Sequence, residues 1–413
     1  MAGIVYLAGY EYRKIFQRRS TWIALAVVLA WVLFGGFAGI YGNYYMEGEK
    51  VATHFQMVEM EREALGDLAI KKLDQGFFEK KKTDMETIVK DKEAALYSEG
   101  AEGFRASRWK EYYRAYAPYG KLYDLLGLLE NCIDGLEIDQ VDGENFYSFR
   151  DQALDQIYGG EQLSYGEIEF HKREDGKVPK PFTYGNMAGY ERYLQMLSPT
   201  CIILAFAIAI ILAPMFAGEY SSHMDALALS CRYGKNKLIW AKVITGISFA
   251  AFSTLFFAAL SLLEVQVIYG LDGWDLPVQA SILGFFLSLP INLLGLAVAA
   301  TGCCLVAACM VAMVVMFCSA KMKTPFGVII VSFIFIFAPM YLIYMVAGHR
   351  VLFMVANSLP TSMMFVGSMA APQLLAVGGR YLYFFQWVPP VYLMLIAGLA
   401  LWSFRTFQRH EVQ

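Results

Sequence analysis

The chain has 413 residues, 57% hydrophobic and only 17% charged, against about a quarter charged in soluble domains. Residues 44–192 hold 30 acidic and 20 basic side chains while the remainder holds 7 and 14, so the formal net charge of −3 is a near-cancellation. This excludes a simple soluble enzyme, a disordered chain and a nucleic-acid binder selected by overall positive charge, and it leaves a membrane protein with a domain-sized hydrophilic insert.

A spanning helix needs about 20 apolar residues. The first charge-free run covers residues 21–42, behind Arg13, Lys14, Arg18 and Arg19. Its apolar core exceeds a signal-peptide h-region and no A-x-A-like site follows, so it is expected to be an uncleaved anchor. Residues 43–192 form the insert, expected to be mainly helical. Phe55, Val58, Leu65, Leu68 and Leu73 recur at helical intervals, and residues 79–98 are rich in Lys, Glu and Ala. Trp109, Tyr112, Tyr113, Tyr116, Tyr119 and Tyr123 form an aromatic stripe, the only strong aromatic cluster of the insert, and are assigned to its core rather than to a ligand groove. The turn at 174–177, after 167–171, suggests a small hairpin. Further spans are expected at 197–217, 243–269, 293–319, 326–346 and 388–404, six in all, with residues 193–413 carrying the last five.

Lysine and arginine asymmetry orients the spans. The N-terminal segment, the 218–242 loop, the 320–324 loop and the tail at 405–413 carry 12 basic residues and thread to one side, hence inside. Both termini are expected in the cytoplasm and the insert outside. Residues 278–290 are too short to cross and suit an interfacial helix. Residues 351–379 are broken by Asn357, Pro360 and Pro372; a helix pair dipping into the outer leaflet is expected, because irregular backbone at membrane depth must be buried in protein.

Signals of catalysis are sparse. Six of the seven cysteines lie in or beside apolar runs, which suits small hydrophobes; Cys132 alone lies in the insert, which therefore has no internal disulfide. There is no G-x-x-x-x-G-K-[ST] phosphate loop, no H-E-x-x-H, and the five histidines are scattered. Glu264, the one acid in a predicted span, reads as an interfacial carboxylate facing headgroups or the insert. Energy for any transport must come from another subunit.

The informative segment is the cytoplasmic loop 218–242. Ser222 or His223 can start a short helix with Met224, Leu227 and Ala228 on one face and Gly234 to end it, flanked by Glu219 and Asp225 before and Arg232 and Lys235 after. Such a helix is too short to be stable alone in water, so its apolar face calls for a partner groove. An ordinary loop lying on the membrane surface is the alternative.

The order of residues along this loop is Glu219 just after the second span, small polar residues, a leucine-rich helix, Ser230-x-Arg232, then Lys237-x-x-Trp240-Ala241-Lys242. This order resembles the permease subunits of ABC-2 type transporters, and the basic tail from Arg405 to His410 resembles their Firmicute-like members. The resemblance covers residues 1–42 and 190–410; Cys231 departs from it, since many members carry proline there. It implies an all-α polytopic membrane protein of six transmembrane helices with a large, mainly helical extracytoplasmic domain between the first two. It also implies that loop 218–242 is a coupling helix docking on a separate ATPase subunit, which would carry ATP and Mg. Glu219, Met224, Asp225, Leu227, Ala228 and Ser230 would face that ATPase, and Arg232 and Lys242 would anchor the loop to acidic groups or phospholipid. The segment within 1–20 resembles the family's amphipathic connecting helix, with Val5, Ala8, Tyr12, Ile15 and Phe16 toward the acyl boundary. Pro214 is expected to kink the second span. The expected partners are the ATPase, a second permease copy or a paralogue, and the lipid bilayer; no nucleic acid and no cofactor in this chain is expected. Small residues at Gly35-x-x-x-Gly39 and at Gly295, Ala299, Gly302 and Ala307 permit close helix packing, between or within subunits. A non-transporting receptor or scaffold, sensing a ligand through the insert, is the alternative function. The substrate is not legible.

Overall fold

The structure, a computed structural model, describes residues 2–46, 48–66, 71–161, 163–224, 236–346 and 348–408. In chain order these form α1 (Ala2–Gln17), α2 (Arg19–Tyr41), β1 (Asn43–Met46), β2 (Glu49–Thr53), α3 (His54–Gly66), β3 (Lys71–Lys72), α4 (Gln75–Ser107), α5 (Trp109–Cys132), α6 (Phe146–Gly160), α7 (Tyr165–Asp175), β4 (Thr183–Tyr184), α8 (Ala188–Leu212), α9 (Ala217–Ser221), α10 (Lys237–Tyr269), α11 (Leu293–Lys321), α12 (Pro325–Met345), α13 (Arg350–Asn357), α14 (Val366–Met369), β5 (Leu375–Val377), β6 (Arg380–Leu382) and α15 (Phe384–Gln408). Among the described residues, six helices are long and apolar enough to cross a membrane: Arg19–Ala38, Ala188–Met215, Lys237–Tyr269, Leu293–Lys321, Pro325–Met345 and Phe384–Thr406. The chain is thus mainly helical, with the make-up of a multi-pass membrane protein, and its short strands pair as two-stranded sheets.

The chain divides into two compact units. One comprises residues 34–194 and 262–297. Its aromatic core is built around Phe77, whose ring lies 5.8 Å from Tyr119 and 5.7 Å from Tyr184, and around Phe146, 5.4 Å from Phe78 and 5.8 Å from Phe285. Trp109 and Tyr119 are buried as expected, but the stripe does not carry the core alone: Phe77, Phe78, Phe146, Phe182 and Tyr184 are scattered in sequence and all buried. Tyr112, Tyr116 and Tyr123 instead stack in a ladder, with ring centroids 6.2 and 6.0 Å apart.

Two local expectations fail here. The 174–177 turn does not close a hairpin, because a capping box starts α7 at Ser164 and Glu167, with the Ser164 N–H donating to Glu167 at 2.9 Å, and the helix runs on to Asp175. Residues 278–290 are not an interfacial helix. Pro277 and Pro290 bracket a turn-rich segment with a single 3₁₀ turn, Val278–Ala280, in which Val278, Gln279 and Phe285 are buried. Buried irregular backbone needs side-chain partners, and three polar residues supply them. Gln279 donates to the Leu287 and Leu289 carbonyls at 2.7 and 2.8 Å. Glu191 accepts the Ile282 N–H at 3.1 Å. Fully buried Arg150 donates to the Phe285 carbonyl at 2.9 Å while gripping Asp175 with both Nη atoms at 3.1 and 2.8 Å.

The other unit comprises residues 1–33, 195–261 and 298–413. Gly246 on α10 packs so tightly against Met316 of α11 that any Cβ would collide with its sulfur. Residues 351–379 contribute none of the six long apolar helices. They form the eight-residue α13, a 3₁₀ turn at Ser362–Met364, the short α14 and part of the β5–β6 hairpin. This broken segment is held by Asn357, whose Nδ2 donates to the Ser368 carbonyl at 2.8 Å, and by Ser362, which donates to the Ala356 carbonyl at 2.8 Å. The Met364 carbonyl accepts from Cys304 at 3.8 Å. Cys304 lies eleven residues into α11, about 16 Å along the helix axis, so irregular backbone reaches the middle of a long apolar helix and is covered there by protein.

Candidate functional site

The site lies in the second of these units, where the loop at 218–242 leaves α8 and enters α10. α8 ends at Leu212 and gives way to a 3₁₀ turn, Ala213–Met215, that contains Pro214, whose missing N–H weakens the helix there, before the chain continues into α9. The break is bridged by Ser319 of α11: its hydroxyl accepts the N–H groups of Phe216 and Ala217, both at 3.0 Å, and donates to the Ala213 carbonyl at 2.7 Å. Tyr220 adds a bond to the Ala320 carbonyl at 3.1 Å.

α9 ends in a Schellman motif. His223 has φ +56°, its N–H donates to the Tyr220 carbonyl at 3.2 Å, and the Met224 N–H donates to that of Glu219 at 2.9 Å. Ser222 and His223 therefore close α9, and the short helix expected to follow them lies outside the described residues. Met224 is half exposed. Asp225, Leu227, Ala228, Ser230 and Arg232 lie outside the described residues.

Glu219 points toward Lys242 of α10. Lys242 is 1% exposed and all three ammonium protons are used: it donates to Glu219 Oε1 at 2.7 Å, to Glu11 Oε2 at 3.0 Å and to the Met215 carbonyl at 3.0 Å. Lys14 completes an alternating set of two acids and two bases, 2.8 Å from Glu11 Oε1 and 3.3 Å from Glu219 Oε1. Burial pushes the Glu11 carboxyl upward, but Lys242 and Lys14 outweigh that and hold it below its ordinary value. Burial likewise lowers the Lys14 ammonium, and Glu11 with Glu219 outweigh it, leaving it above the usual lysine value.

The cluster joins three elements distant in sequence: α1 by Glu11 and Lys14, the loop foot by Glu219, and α10 by Lys242. Around it, Tyr12 bonds Ser248 at 2.8 Å and the Phe16 ring meets Phe249 at 6.1 Å. The most buried residues of α1 are Ile15 and Glu11, while Val5 is exposed. The expectation that Lys242 anchors the loop foot to acidic groups fits this geometry. Glu11 and Lys14 are partners that the sequence reading misses. The available signal is that Glu11 is the one acid before residue 44, in an otherwise basic segment.

Among the described residues no group of His, Cys, Asp and Glu could hold a metal ion. What the cluster can do chemically is transmit displacement. A buried charge cannot be drawn from its partners without a large penalty, so the three elements move together or rearrange together. No family model and no curated protein matches the chain.

Proposed function

We propose that the chain is the membrane-spanning permease subunit of an ATP-binding cassette exporter of ABC-2 type, in a bacterial cytoplasmic membrane. It would work with a separate ATPase subunit that binds ATP and Mg, and with a second permease copy or a paralogue. The observation that carries this reading is the Lys242 cluster: the segment that resembles a coupling helix is tied at its foot, through Glu219, to both the N-terminal helix and α10. A push delivered to residues 224–235 by a partner therefore reaches two elements at once. The half-exposed Met224 next to the Schellman turn supports a partner surface there. Alternating access further requires a ligand that binds the two states unequally.

In this reading both termini and the 218–242 loop lie in the cytoplasm and residues 43–192 lie outside. The support is that 12 of the 14 basic residues beyond 44–192 fall on one side when six helices are threaded. Labelling with a membrane-impermeant maleimide tests this orientation: Cys132, half-buried and with a free thiol, should react from outside intact cells.

The test of function is co-expression with the ATPase encoded beside this chain, followed by ATPase assays on the purified complex. Met224→Asp with Leu227→Asp should abolish complex formation and the hydrolysis that depends on it. Complex formation and hydrolysis unchanged by the double substitution would remove the coupling-loop assignment. Capture of no ATPase at all would favour a receptor or scaffold.

A further inference from the structure

Glu264 lies five residues before the end of α10, where no other charge occurs after Lys242. The sequence suggests an interfacial setting, facing headgroups or the insert. Glu264 is buried, 7% exposed, and its Oε1 has no hydrogen-bond partner. Gly36 of α2 faces the carboxyl group so closely that any Cβ would collide with it. Arg192, which reaches the neighbouring Gly35, gives its Nη2 to that residue's carbonyl at 2.8 Å rather than to the acid. Helix α2 thus presents a notch, made by a residue without a side chain, and the Glu264 carboxyl, one of its oxygens unpartnered, sits in it.

An unpaired acid in an apolar helix is costly, and such residues mark sites that take a cation. The kind of cation follows from the surroundings. A hard metal ion calls for six or more oxygen ligands, and among the described residues no acidic, His or Cys group could hold one. The neighbouring surface is apolar and open: Val267, one turn beyond Glu264, is 72% exposed, and Leu263 and Phe37 are exposed as well. A ligand that satisfies both features carries an ammonium group on an apolar body. We propose that Glu264 and the Gly36 notch form a binding site for a lipophilic amine, with the carboxylate accepting hydrogen bonds from its ammonium group and the apolar body lying along Val267 and Phe37. The site stands apart from the exporter reading, since it needs neither ATP nor a partner chain.

The experiment uses the full chain in lipid nanodiscs with quinacrine, a fluorescent lipophilic amine, and acridine as its neutral counterpart. Wild type should bind quinacrine saturably, with acridine a poor competitor. Glu264→Gln, nearly isosteric, should weaken binding at least about tenfold, the worth of one charge-assisted hydrogen bond. Gly36→Ala should weaken it by forcing the Glu264 carboxyl out of the notch, while Asp272→Asn, beyond the helix, leaves it unchanged. In parallel, dicyclohexylcarbodiimide should label Glu264 in wild type, as read by peptide mass spectrometry, and saturating quinacrine should block the label. Equal binding by Glu264→Gln, equal competition by acridine, or labelling indifferent to quinacrine would each overturn the proposal. The labelling arm needs no variant, so a substitution that fails to fold leaves it decisive.

Discussion

Lys242→Met is the most searching perturbation of the ion cluster. It removes two charge-assisted bonds, to Glu11 and Glu219, each worth about 1.5–3 kcal/mol, and one bond to the Met215 carbonyl worth about 1 kcal/mol. Methionine returns some apolar contact, which brings the expected loss to the range for a broken buried pair, about 3–5 kcal/mol. Glu11→Gln leaves Lys242 with Glu219 and the carbonyl, and should cost about 1–3 kcal/mol. If the four charges act as one unit, the double variant should lose less than the sum, with a coupling of about 0.5–3 kcal/mol. The assay is reversible unfolding of the full chain in mixed micelles by titration with a denaturing detergent, followed by circular dichroism. Single losses that add within about 0.3–0.5 kcal/mol, or a Lys242→Met loss no larger than that of an exposed lysine, would refute the reasoning.

Further outcomes follow from the same geometry. The Glu11 carboxyl is held below its ordinary value of 4.5, so the stability it contributes is present above that pH and is lost as pH falls through its lower folded value; melting across the acid range should show a steeper loss for wild type than for Glu11→Gln. Asp175→Asn leaves Arg150 buried without its carboxylate and should cost about 3–5 kcal/mol, read as faster hydrogen exchange in α6 and α7; unchanged exchange would contradict a buried pair. Gly246→Val drives a side chain into Met316 and should cost about 1–3 kcal/mol in the detergent titration. His223→Gly relieves a positive φ and should stabilise by about 1 kcal/mol.

The six long helices are legible because an apolar run of spanning length is a local property, and the observed ends shift from expectation by up to nine residues, at the polar border 188–196. The Pro214 break is legible for the same reason, since one residue carries it. Residues 278–290 mislead because their apolar content says nothing of what lies opposite. It is Arg150, Gln279 and Glu191, remote or hidden in the pattern, that make turns there more favourable than a helix. The site is half legible. Glu219 and Lys242 flank a recognisable loop, whereas Glu11 pairs with a lysine 231 positions away, and no periodicity encodes that distance. Glu264 stands out by its charge, but its setting depends on Gly36, whose significance is the absence of a side chain.

Ser319 places a single oxygen between Ala213 and the two N–H groups that follow the Pro214 break. The effects of substituting Ser319 and Pro214 should therefore depend on one another. Ser319→Ala should be harmful while Pro214 is present, since it orphans two donors and an acceptor. Once Pro214 is replaced by a helix former, the turn can close its own ladder and the serine becomes free to drift. Reversal would meet the opposite asymmetry, with proline tolerated only after the hydroxyl has returned. The order in which such a pair can change is thus set by one hydrogen-bonding oxygen.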